Sequence, residues 1–290
     1  MKTGKAIAYG AATIVNAIAT GYGAALGVDL WTKATVKLTK KPGIITGRIK
    51  SDPDENSALI KMAVPSVLKK FRLEEKYGAI VETDSNIPIA RGMKSSSTAA
   101  NAIVLATLAG LRKKLPDLSV VNLGVDAALN AKVTITGAFD DACASYFGGA
   151  VITDNIKRKI MKRLQVKEKA VVLFHVPKSK VYASNFEIEK VKKIAPIAMT
   201  AHNEALHGHL WNAMTLNGVA YSLALGYSTA IVKVAFNEGA LAAGLTGKGP
   251  AVAAVVHEDK TDSVKKAWQA FEGEILEAKI NNQSKAHILR

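Results

Sequence analysis

At 290 residues the chain is long enough for one large folding unit or two smaller ones, and a 49% hydrophobic content is ordinary for a globular protein. The single cysteine, Cys143, excludes an internal disulfide and fits a reducing, cytoplasmic setting. A net charge of +15, concentrated in residues 156–193, would suit a nucleic acid or a smaller polyanion. That segment lacks aromatics to stack bases, and no zinc-knuckle or RRM pattern occurs anywhere, so a solvated basic face with no nucleic-acid partner is expected.

Taken in chain order, AIAYGAATIVNAIA after MKTGK has the outline of a secretory leader. Thr13, Asn16, Thr20 and the glycines at 10, 21, 23 and 27 break the compact apolar run that a leader needs, so the stretch reads as a strand. ALGVDLWTKATVKLT and GIITGRI read as the next strands, and residues 57–71 as a helix interrupted near Pro65. AIVETDSNIPIA follows as a strand ending at Pro88. Helices are predicted over 96–111 and 119–131, with Gly110 and Pro116 where the first should stop. TGAFDDACASYFGGAVITDN reads as a turn, a short helix and a strand. The basic stretch 156–169 is the predicted boundary between two halves, 1–155 and 156–290. Beyond it come the strand AVVLFHV, helices across 196–240, strands at 241–245 and AVAAVVH, a helix at 261–272 and a last strand near 275–280. No other apolar run escapes charge, Gly or Pro long enough to span a membrane, so no membrane partner is expected. Irregular alternation of strands and helices favours two open α/β layers over one doubly wound sheet.

Three stretches carry chemistry. RGMKSSSTAANA places Gly92, Arg91, Lys94 and the serines Ser95, Ser96 and Ser97 at the start of a helix. Unpaired N–H groups there attract phosphate, and serine hydroxyls can donate to it or coordinate Mg²⁺; plain serine capping of a helix is the competing account. TGAFDDACASYFGG sets Asp140 and Asp141 after a turn glycine, where an aspartate can orient or deprotonate a hydroxyl or help hold Mg²⁺, or merely cap a helix. Neighbours on a helix point about 100° apart, so the two are not expected to share one task. GLTGKGPAV, with Gly244, Gly247 and Gly249 between apolar runs, suits either a turn or a close approach to a ligand. No Walker A loop is present, since GLTGKG has glycine where Ser or Thr is required. His202, His207 and His209 lack the spacing of a zinc site, and Cys143 reads as a small buried residue rather than a nucleophile.

Together these stretches resemble the signature regions of the GHMP small-molecule kinases. The second motif of that superfamily, of the form PxxxGLGSSxA, is similar to Pro88-Ile89-Ala90-Arg91-Gly92-Met93-Lys94-Ser95-Ser96-Ser97, with Met for Leu and Lys94 where most members have glycine. Gly244–Pro250 matches the third motif in abbreviated form. The Lys-Ser-Ser-Ser variant, TGAFDDACASYFGG and ATIVNAIATGYGAALGVDL resemble the archaeal-type shikimate kinase branch over nearly the whole chain. The resemblance implies an α+β, two-domain fold, with an N-terminal ribosomal-protein-like βα domain and a C-terminal ferredoxin-like domain. It implies ATP and Mg²⁺ as cofactors and shikimate as the small-molecule partner; other acceptors of the superfamily, homoserine or mevalonate, are the alternative. An aspartate seven residues before a glycine is catalytic in some members; counting back from Gly148 gives Asp141, with Asp140 second. Residues 88–97 would bind nucleotide together with Gly247 and Gly249, Lys94 would offset phosphoryl charge, and Ser95 and Ser96 would serve the metal. Where some members carry a metal-binding glutamate this chain has Asn130, with Asp126 a turn earlier. Nothing in the sequence sets an oligomeric state.

Overall fold

The computed structural model describes residues 2–289, which build two sheets with helices on their faces. The leader-like stretch is strand β1 (Thr3–Val15), paired antiparallel to the long strand β2 (Tyr22–Thr39). Its small and aliphatic residues, among them Ala6, Ala8, Ala12 and Ile14, are buried because layers cover both faces. Strand β3 (Ile45–Ile49) pairs parallel to β4 (Gly78–Ser85), and β4 pairs with the second half of β2. A register shift opposite Tyr9–Gly10 re-aims β2, so that Leu26 and Val28 enter one core while Val36 and Leu38 enter another.

Helices α1 (Ala58–Lys70), α2 (Ser95–Leu111), α3 (Asp117–Asn130) and α4 (Phe139–Phe147) cover one face of this sheet. The expected interruption at Pro65 does not occur. Leu59, Ile60, Ala63, Val64, Val67 and Leu68 bury α1 on both sides of the proline, and their burial offsets the roughly 3 kcal/mol that an interior proline costs. Within α2, Asn101 is fully buried, and its Nδ2 donates to Ala142 O at 2.9 Å and to Ser145 Oγ at 3.2 Å. That side chain ties α2 to α4.

Strand β5 (Ala150–Asp154) pairs with the first half of β2, and β6 (Lys159–Leu164) pairs with β5. The basic stretch read as a boundary therefore contains an edge strand of the first sheet. Its exposed positions, Lys159, Met161 and Arg163, alternate with half-buried ones, and charge on an open edge discourages pairing with other chains. The crossover to the second sheet lies at residues 165–169 rather than at 155/156, because a cut there would separate two paired strands.

After the crossover come β7 (Ala170–Val176), α5 (Ile188–Lys192), α6 (Ala195–His207), α7 (Leu210–Leu225) and α8 (Ala230–Asn237). They are followed by β8 (Ala242–Leu245), β9 (Val252–His257), α9 (Thr261–Trp268) and β10 (Glu274–Lys279). The strands lie in the antiparallel order β10-β7-β9-β8, a ferredoxin-like arrangement with the first and third strands in the middle. A last strand, β11 (His287–Leu289), returns to β1 in the first sheet. Ile14, Leu26 and Val28 from the first sheet share one core with Val172, Phe174 and Val255 of the second and with Met214 of α7. The two halves are therefore joined by apolar packing rather than by a linker. Helices α8 and α9 cover the outer face of the second sheet, where Trp268 is fully buried and donates to Ile231 O at 3.0 Å. Among the described residues no helix is long and apolar enough to cross a membrane.

Replacing Asn101 with Ala should lower the unfolding free energy by about 1–3 kcal/mol, since it opens a cavity and removes the bonds to α4. Urea unfolding checks this: the midpoint falls while the slope stays constant.

Candidate active site

The site starts from the loop that enters α2. Ala90, Gly92 and Lys94 have φ of 57°, 83° and 63°, so every second residue of the loop is left-handed. Glycine adopts this freely, whereas Ala90 and Lys94 each store about 1–2 kcal/mol of strain that their surroundings must hold. Val181 N–H donates to Ala90 O at 2.7 Å, Ala251 N–H to Arg91 O at 3.2 Å and Thr246 Oγ1 to Gly92 O at 3.3 Å. The second half of the chain thus clamps a loop of the first. A Cβ on Gly92 would lie 2.3 Å from Thr246 O, and one on Gly247 would lie 2.7 Å from Gly92 O. The two glycine loops touch backbone to backbone, which only glycine permits. Strand β1 locks the contact: Gly247 N–H donates to Thr13 Oγ1 at 2.8 Å, and Asn16 Nδ2 donates to Gly247 O at 2.7 Å.

Helix α2 then opens onto a cavity of about 590 Å³. Ser95 and Ser96 line it at the first turn, where helix N–H groups lack intrahelical partners, whereas Ser97 is buried outside it. Lys94 Nζ lies 3.0 Å from Asp141 Oδ2, and both side chains are buried. The other oxygen, Asp141 Oδ1, is buried with no hydrogen-bond partner. Burial, and then the charge of Asp140, push the Asp141 carboxyl up to about 7, against the pull of Lys94. A carboxyl raised to near neutral pH, with one oxygen held by Lys94 and the other without a partner, is equipped to take a proton.

Asp140 also lines the cavity but is committed elsewhere. Its Oδ1 accepts from Asn155 Nδ2 at 2.8 Å, and its own N–H donates to Asn155 Oδ1 at 3.2 Å. Thr153 Oγ1 donates to the same Asn155 oxygen at 2.6 Å, fixing the amide. The neighbouring aspartates thus have different partners, Asp140 the Asn155 amide and Asp141 the Lys94 ammonium, in keeping with their helical offset. Cys143, one turn along, is free, and its burial pushes the thiol up, away from nucleophilic character.

Of the other residues singled out in the sequence, Ile89, Ala90, Gly92, Met93 and Gly247 line the cavity. Pro88, Arg91 and Gly249 do not. The Arg91 guanidinium donates to Pro177 O, and Gly249 N–H shapes its loop by donating to Thr246 O at 3.0 Å. Asp126 pairs with Arg158 at 2.6 Å, and neither it nor Asn130 lines the cavity. Sequence reasoning missed Lys248, which lines the cavity and is pushed down to about 8 by burial and then by Lys94. A lysine between two glycines was the available signal. It also missed a strap from the second half: Lys180 Nζ meets Asp52 at 2.6 Å and Glu55 at 3.1 Å, and Tyr182 OH donates to Glu55 at 3.1 Å. All four residues but Asp52 line the cavity.

Residues 58–149 match the family model for the GHMP kinases N terminal domain, and residues 205–273 match that for GHMP kinases C terminal. A shikimate kinase of Methanosarcina mazei is 45% identical over 281 residues, covering 96% of this chain and 94% of its own length. A shikimate kinase of Pyrococcus furiosus is 42% identical over 267 residues, covering 92% and 95%. In structure, a homoserine kinase from Cytophaga hutchinsonii superposes with a TM-score of 0.76 at 16% identity, over 100% of this chain and 98% of that one. The mevalonate kinase of L. major, solved with R-mevalonate, reaches 0.74 at 16% identity over 97% and 96%. These distant structures share the fold.

The raised Asp141 carboxyl carries a stability signature. Its value exceeds that of an unfolded aspartate, so the native state binds the extra proton between about pH 4 and 7, and stability falls as pH rises through that window. Asp141→Asn should abolish this component. Unfolding free energies measured from pH 4 to 8 should decline for the wild type relative to the variant, by on the order of 1–4 kcal/mol, and run parallel above pH 8.

Proposed function

The chain belongs to the GHMP kinases, and from that premise we propose that it transfers the γ-phosphoryl group of ATP to the 3-hydroxyl of shikimate, giving 3-phosphoshikimate and ADP. The observation that carries the reading is the agreement, along nearly the whole chain, with archaeal relatives that are themselves shikimate kinases. The cavity chemistry supports it. Phosphoryl transfer asks for a cradle for the phosphates, a neutralising cation and an oriented hydroxyl, and little else.

Ser95, Ser96 and the first turn of α2 form the cradle, with the loop backbone brought close by Gly92 and Gly247. Lys94 stands at the left-handed position just before the helix, where its ammonium serves both Asp141 and the transferring group. The Asp141 carboxylate accepts the proton of the 3-hydroxyl as the hydroxyl oxygen bonds to the γ-phosphorus and the bond to the ADP oxygen breaks. Asp140, held by Asn155, is a positioning residue whose charge keeps Asp141 near neutrality.

Among the described residues no group of three or more His, Cys, Asp or Glu side chains could hold a metal. The Ser95 and Ser96 hydroxyls, which line the cavity at the first turn of α2, would hold a Mg²⁺ ion that accompanies the nucleotide. Bound there, the ion would neutralise charge on the β- and γ-phosphates.

An assay of ADP release against shikimate, homoserine and mevalonate tests the acceptor: turnover is expected with shikimate, and turnover with either of the others alone would refute the reading. Asp141→Asn should lower kcat by about 10²- to 10⁴-fold while ATP binding, measured by calorimetry, persists. Near-wild-type turnover in that variant would remove Asp141 from the proton-accepting role.

A further inference from the structure

Shikimate is a carboxylate, and one ring carbon separates its 3-hydroxyl carbon from the carbon that bears the carboxyl group. With the hydroxyl at Asp141, the substrate's carboxylate must lie on the same side of the cavity, anion near anion. A cation has to stand beside them. The cavity wall offers Lys94, Lys132, Lys180 and Lys248. Lys94 is paired with Asp141, and Lys180 bridges Asp52 and Glu55. Lys132 is exposed, where water reduces an ion pair to little. Arg91 is turned away to Pro177 O.

Lys248 is different. It is half-buried on the cavity wall, it follows Gly247, where an added Cβ would lie 3.2 Å from Lys94 Nζ, and it forms no ion pair among the described residues. Its backbone is fixed: Thr13 and Asn16 hold Gly247, and Tyr227 OH donates to Lys248 O at 3.5 Å. A desolvated ammonium with no counter-ion is costly, and an incoming anion removes that cost.

Resting on shikimate as the acceptor, we infer that Lys248 is the cation that grips the acceptor's carboxylate, leaving Lys94 to Asp141 and the phosphoryl group. The task is specificity. Lys248 selects hydroxy acids over neutral polyols of similar shape, and it sits in a loop of the second half that packs on the Gly92 loop of the first.

Steady-state kinetics of wild type, Lys248→Met and Lys248→Arg, with shikimate and its methyl ester, test this. Lys248→Met should raise KM for shikimate about 10- to 100-fold, with KM for ATP changed less than about threefold and Lys248→Arg recovering most of the loss. The ester, poor for the wild type, should lose nothing further in Lys248→Met, so discrimination between acid and ester collapses. The unchanged KM for ATP shows that the variant is folded. A fall in kcat with KM for shikimate unchanged would assign Lys248 to the phosphoryl group and overturn the inference. So would an acid-over-ester preference equal in wild type and variant. A wild type that ignores shikimate would overturn the acceptor assignment and this inference with it, a result distinguishable from a shikimate kinase indifferent to Lys248.

Discussion

A buried ammonium and a buried carboxylate 3.0 Å apart, Lys94 and Asp141, set the terms for the rest of the molecule. Two charges withdrawn from water are expensive unless their geometry is held and their remaining bonding capacity is filled. The fold supplies the geometry. Lys94 precedes α2 and Asp141 sits in the first turn of α4, and Asn101 ties those helices together midway along α2. The remaining capacity is not filled: Asp141 Oδ1 has no partner, and both residues line the cavity. A ligand carrying both a hydroxyl donor and anionic oxygens completes the set.

Neither half of the chain makes this site alone. The left-handed loop before α2 is held through its carbonyls, which accept from the Val181 and Ala251 amides and the Thr246 hydroxyl, all in the second half. Gly92 and Gly247 meet so closely that a methyl group on either would displace the other backbone. The apolar core shared by the two sheets, from Ile14 and Leu26 to Phe174 and Val255, keeps that contact in register. The geometry of the site thus depends on packing more than 200 residues apart in sequence, as the Asn16–Gly247 and Thr13–Gly247 bonds show directly.

That distance explains what could and could not be read beforehand. Helices α2 and α4 and the glycine loop announce themselves locally, through serines after a glycine, an aspartate pair after a turn and glycines between apolar runs. Periodicity likewise places most strands and the short connections. What fails is whatever tertiary contacts decide. Helix α1 continues through Pro65 because both of its ends are buried, and no local rule weighs that. Strand β6 was hidden by its lysines, which are compatible with pairing on one edge. Among three adjacent serines only the packing of α2 separates Ser95 and Ser96 from buried Ser97. Arg91 and Lys94 look equivalent as cations three residues apart, yet one caps Pro177 and the other enters the site. Lys248 carries no local signal beyond the glycines on either side of it, and only the packing of its loop makes it a half-buried cavity residue.

The charge excess also divides by location. Much of the basic run from 156 to 193 is tied up at the surface: Arg158 with Asp126, Lys178 with Glu272, Lys190 with Glu187 and Lys192 with Glu189. Exposed pairs of this kind contribute little to stability and are screened over about 8 Å at physiological salt. Their unpaired neighbours still raise the potential around the protein, which draws anionic substrates toward it without selecting among them. Selection requires a cation that is partly desolvated and outside any ion pair, because only there does the loss of the ligand's carboxylate charge cost more than water can return. Four lysines line the cavity, and the fold pairs two of them and exposes a third. The formal charge of the chain therefore says less about its ligand than the one cavity lysine that, among the described residues, is neither paired nor exposed.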